Sequence, residues 1–103
     1  MEKKNPVEIF QTEAPEVAEA FEGLIKSLSN SKGLDPKMKQ LVYIGGRAAM
    51  GDSTAVYYHV KMAKELGATR DEIKDTILIT RSVCGLKGVT SCLPIALETY
   101  DNE

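Results

Sequence analysis

Apolar residues recur at spacings of three and four along most of this chain, and nowhere do apolar and polar residues alternate over the length of a strand. That pattern predicts an all-α fold of about five helices in one domain spanning 1–103, with no tandem repeat or low-complexity tract. Val17, Ala20, Phe21, Leu24, Ile25 and Leu28 form the stripe of a first helix that Pro15 opens and Asn30-Ser31-Lys32-Gly33 ends. Asp35-Pro36 starts a second, with Met38, Leu41, Val42, Gly45 and Ala49 on its apolar side. The Gly45-Gly46 pair costs helix propensity and suits close helix packing.

A third helix follows Gly51-Asp52-Ser53, carries Val56, Val60, Ala63 and Leu66, and stops at Gly67. Thr69 and Glu72 form a capping-box pattern for a fourth, with Ile73, Ile77 and Cys84 on one face before Gly85. Gly85 and Gly88 then read as breakers, Thr90 or Ser91 as the cap of a fifth helix, and Leu93, Ala96, Leu97 and Tyr100 as its stripe. Pro94 fits only in that helix's first turn, because deeper inside it removes a backbone bond and clashes.

A chain of 103 residues buries a modest share of its surface, so self-association is expected on size alone. Thirteen basic and fifteen acidic residues are interspersed without a basic patch, which argues against a nucleic-acid partner. The start, MEKKNPVEIF, has no apolar run behind its charges and does not read as a secretory signal, and no segment has membrane-spanning length. The expectation is a cytoplasmic protein with no membrane partner, whose two cysteines, Cys84 and Cys92, are thiols.

His59 is the only histidine, at the edge of the third helix's apolar stripe. By itself it is satisfied as a core-edge residue with one hydrogen bond. Ser53, Val56 and His59 stand at a spacing of three, S-x-x-V-x-x-H. From about Leu34 to Tyr100, and most clearly in HVKMAKELGATRDEI, the chain resembles the carboxymuconolactone decarboxylase and alkylhydroperoxidase D-like family. The resemblance implies an all-helical domain that assembles as a homotrimer or hexamer.

It also implies two chemistries. The thiol branch of the family carries C-x-x-C-x-x-H, where a helix N-terminus favours thiolates on one face, the histidine passes protons and a glutamate from the preceding helix accepts them. Here those positions fall on Ser53, Val56 and His59, with Gln40 at or beside the glutamate's place. Valine is no nucleophile, an amide takes no proton near neutral pH, and Ser53 reads as an N-cap, so that dithiol mechanism cannot run. The decarboxylase branch lacks the cysteine pair but keeps the histidine; it matches again at Cys84-Gly85, with Lys87 where a proline would stand, Ser91 near a second histidine's place and Ala55 where an acidic residue would be.

Three readings follow. The first is a family member without the usual redox activity that binds a small ligand near His59. In the second, His59 is the general acid or base of a decarboxylase-type enzyme, with Arg47 and Arg81 as unplaced cations. The third is a peroxiredoxin-like thiol oxidoreductase with Cys84 and Cys92 as a relocated pair, against which stands the ordinary role of a free cysteine as a small buried apolar residue. The candidate site residues are therefore His59, Cys84 and Cys92. No cofactor is implied, and one histidine with two separated cysteines does not make a zinc-ligand spacing.

Overall fold

The computed structural model describes residues 5–102; residues 1–4, part of the segment read for a secretory signal, lie outside it. The chain divides between Gly33 and Leu34 into two compact units. The first holds α1 (Pro6–Glu13) and α2 (Pro15–Asn30). The second holds α3 (Pro36–Ala49), α4 (Ser53–Glu65), α5 (Arg70–Leu78), the single turn α6 (Arg81–Cys84) and α7 (Lys87–Asn102). Among the described residues there is no strand, and no helix is long and apolar enough to cross a membrane.

In the first unit Asn5 caps α1, its Oδ1 accepting from the Val7 amide at 2.8 Å, and the Phe10 and Phe21 rings meet edge-on at 5.9 Å. Only Ala18 of α2 is buried. The apolar stripe expected on this helix is there, but it faces solvent.

In the second unit α3, α4, α5 and α7 surround one core, with α7 packed on all three of the others. Ile44, Val56, Val60, Ile73, Ile77 and Cys92 are fully buried at its centre. Each such aliphatic side chain contributes roughly 1.5–3 kcal/mol relative to exposure. Cap signals in the sequence set the helix starts: Asp35 Oδ1 accepts from Met38 N at 2.8 Å, and Thr69 and Glu72 exchange both bonds of a capping box. Gly67, with φ of 95°, takes the left-handed turn that ends α4.

Several expectations need correction. α1 is an additional helix, and the expected fourth helix breaks at Ile79-Thr80 into α5 and α6, so that Cys84 ends a separate turn rather than continuing the Ile73–Ile77 face. Asp52, not Ser53, caps α4, its Oδ1 accepting from Ala55 N at 3.1 Å. α7 begins at Lys87, which places Gly88 inside it and Cys92 beyond its first turn. Gly88 is there because a Cβ would stand 2.6 Å from Thr80 Oγ1 and 2.7 Å from the Ala48 carbonyl oxygen; it is a contact glycine, not a breaker. Pro94 lies in the middle of α7 on an exposed side, where solvent can satisfy the carbonyl that its missing N–H leaves unbonded.

Candidate functional site around His59

α3 and α4 run antiparallel, joined by the turn Met50–Asp52, in which Gly51 adopts φ of 75° and Asp52 N donates to the Arg47 carbonyl at 2.9 Å. Val56, Val60 and Ala63 point α4 into the core, and His59 falls on the flank that faces α3. It is half-buried. Its Nδ1 lies 2.7 Å from Gln40 Oε1. An amide oxygen only accepts, so Nδ1 carries the proton and donates, and Nε2 keeps its lone pair.

Tyr43, one turn after Gln40, lays its ring against the imidazole with centroids 3.9 Å apart and planes 33° from parallel. Arg47, a further turn along, donates from Nε to the Tyr43 hydroxyl at 3.0 Å, and its Nη1 is 3.4 Å from Asp52 Oδ2. One face of α3 thus holds His59 in place, and Asp52 ties that face to the start of α4. Burial pushes the imidazole's pKa below its ordinary value, the Arg47 charge pushes the same way, and Asp52 opposes them. The neutral form of His59 is thereby favoured, with Nδ1 fixed by a partner and Nε2 left to accept a proton.

Gln40, at or beside the place where the resemblance implies a glutamate, is in direct contact with the histidine. The two positions expected to lack thiols differ in kind: Val56 is sealed in the core, while Ser53 is partly exposed at the helix start. Arg47, unplaced from sequence, is part of the site. Tyr43 and Asp52 were not foreseen, although Gln40, Tyr43 and Arg47 at spacings of three and four would have shown a common face.

Cys84 and Cys92 are both free thiols. Cys92 is fully buried among core residues, and its pKa is raised by burial first, then by the charges of Asp52 and Cys84. Cys84 is partly exposed, its Sγ donating to the Thr80 carbonyl at 3.4 Å. Ser91 and Lys87 are exposed and lie over Gly51, where an added Cβ would come within 3.0 Å of Lys87 Cε and 3.8 Å of Ser91 Oγ. Among the described residues no group of three or more His, Cys, Asp or Glu is arranged to hold a metal ion.

Residues 15–98 match the model of the carboxymuconolactone decarboxylase family. An uncharacterized protein of Methanocaldococcus jannaschii is 34% identical over 94 residues, covering 87% of this chain and 88% of its own length. A second uncharacterized protein of the same organism is 28% identical over 90 residues, covering 86% of each. The crystal structure of an apo carboxymuconolactone decarboxylase family protein from Legionella pneumophila superimposes with a TM-score of 0.82 at 24% identity, covering 93% of this chain and 85% of that one. With the helical core and the histidine on α4, the match over 15–98 means that the chain belongs to the carboxymuconolactone decarboxylase family.

Proposed function

We propose that this chain is a family member without dithiol redox chemistry that binds a small ligand against the exposed side of His59. The observation that carries the reading is the imidazole itself: Gln40 fixes Nδ1, Tyr43 supports the ring, and Nε2 is left with no partner in the same group. A ligand that donates a hydrogen bond to Nε2 and offers a flat face to the exposed part of Tyr43 suits this arrangement. The dithiol branch is disfavoured because its second sulfur position is Val56, packed in the core.

The test is an NMR titration with a carboxylated γ-lactone, the compound class of the decarboxylase branch, beside a panel of simple phenols, which donate a hydrogen bond and offer a flat face. The expected result is movement of the His59 and Tyr43 resonances that disappears in His59→Ala, with no peroxide consumed when a dithiol is supplied. If the panel leaves those resonances unmoved, the ligand site is elsewhere.

A second reading, general acid or base catalysis by His59, is favoured by the same free Nε2, whose lone pair can take a proton as base and return it later as acid. It requires that lactone turnover vanish in His59→Ala. The relocated-thiol reading finds less support, since burial disfavours a thiolate at Cys92. Dithiol-dependent peroxide consumption that is lost in Cys84→Ser would restore it.

A further inference from the structure

We infer that the Tyr43 hydroxyl is the second recognition group of the site, and that the ligand is a planar molecule carrying both a hydroxyl and a carbonyl oxygen. The ligand's hydroxyl donates to His59 Nε2, and its carbonyl oxygen accepts from the Tyr43 hydroxyl. This deepens the reading that a ligand binds at His59, and rests on it.

A phenolic oxygen can accept hydrogen bonds and donate one, and conjugation keeps its O–H near the ring plane, on one of two sides. Arg47 decides between them. Its Nε donates to the Tyr43 oxygen at 3.0 Å, which occupies one side and leaves the proton on the other. The guanidinium is itself held, with Nη1 3.4 Å from Asp52 Oδ2 and Cζ 5.1 Å from the centre of the Tyr43 ring. Tyr43 is 38% exposed, so its proton is offered at an accessible surface.

Donor and acceptor lie on the same stretch of that surface. Gln40, Tyr43 and Arg47 follow one another along α3 at spacings of three and four, about one turn apart. The two nitrogens of an imidazole point widely apart, and Gln40 holds Nδ1, so Nε2 is directed away from Gln40. The Tyr43 proton is directed away from Arg47, which stands on the other side of Tyr43 from Gln40. The phenol and imidazole rings, 3.9 Å apart, therefore present one acceptor and one donor between these two fixed ends. Charge narrows the class further. The Asp52 carboxylate beside Arg47 offsets the guanidinium, which suits a neutral carbonyl oxygen better than a carboxylate.

The test is a set of NMR titrations that read the His59 ring resonances. The probes are 3- and 4-hydroxyacetophenone, with 3- and 4-ethylphenol as counterparts of like shape that lack the oxygen. For the better-fitting isomer, the preference for ketone over ethylphenol is expected to be about three- to tenfold larger in the parent than in Tyr43→Phe, the size of one hydrogen bond. Comparing the two proteins cancels the greater acidity of the ketone's hydroxyl, and Tyr43→Phe keeps a ring against the imidazole. Arg47→Leu frees the Tyr43 O–H to turn, and should reduce the preference while ethylphenol still binds. An equal preference in parent and Tyr43→Phe would overturn the inference while leaving the ligand reading in place. If none of the four probes moves the His59 resonances, both fall. Loss of ethylphenol binding in Tyr43→Phe would show that Tyr43 only supports the imidazole, and 4-hydroxybenzoate binding tighter than the ketone in both proteins would give the ligand's oxygen to Arg47; either result overturns the role assigned to the hydroxyl.

Discussion

Replacing Gly88 by alanine should destabilise the protein although it improves the helix propensity of α7. The new Cβ would meet Thr80 Oγ1 at 2.6 Å and the Ala48 carbonyl oxygen at 2.7 Å. Neither can move freely: the Thr80 hydroxyl donates to the Ile77 carbonyl at 2.6 Å, and the Ala48 carbonyl accepts from Gly51 N at 2.9 Å in the turn that leads to Asp52. Overpacking of this kind costs about 1–3 kcal/mol, and the propensity gain returns roughly 0.5–1 kcal/mol, so a net loss of up to roughly 2.5 kcal/mol is expected. Gly46 is the control, since a Cβ there meets nothing within 4 Å and Gly46→Ala should gain roughly 0.5–1 kcal/mol. Urea unfolding followed by circular dichroism, at several protein concentrations so that association is separated from folding, gives both values. The close approach of α7 to α3 would be refuted by a Gly88→Ala protein as stable as Gly46→Ala.

Three further outcomes are expected. Gln40→Glu places a carboxylate beside Nδ1, and the His59 pKa measured by NMR should rise from its lowered value; a fall would mean that Gln40 does not contact the ring. Because the folded-state pKa of His59 is lowered, the neutral imidazole's contribution to stability is complete above about pH 6.5 and is lost as pH falls through the folded pKa. The slope of stability against pH in that window should flatten in His59→Gln, and an unchanged slope would assign it to other groups. Tyr100→Phe removes the hydroxyl that donates to the Ala68 carbonyl at 2.8 Å and should cost about 1 kcal/mol in the same urea experiment; no loss would show that this link between α7 and the α4–α5 turn is not a stabilising one.

What could be read in the sequence follows from where the causes are local. Asp35-Pro36, Gly67 and Thr69 with Glu72 act within a turn of themselves, and the helices start or stop there. Gly88 looks the same in sequence whether it breaks a helix or admits a neighbour, and only the Thr80 and Ala48 atoms across from it decide. α1 has no stripe in the sequence because Val7, Ile9 and Phe10 make too short a run, although Asn5-Pro6 carries the same start signal as Asp35-Pro36. At the site, the spacing pointed to His59 and Gln40. The Tyr43–Arg47–Asp52 chain depends on how α3 faces α4, which periodicity does not specify.

His59 is expected to be a neutral imidazole whose proton sits on Nδ1, leaving Nε2 to act on a ligand. Long-range ¹H–¹⁵N NMR of the histidine ring at pH 7 tests it directly, because protonated and bare ring nitrogens resonate far apart. A protonated Nδ1 and an unprotonated Nε2 are expected in the parent, with that preference lost in Gln40→Leu. A proton on Nε2, or a doubly protonated ring at pH 7, would contradict it.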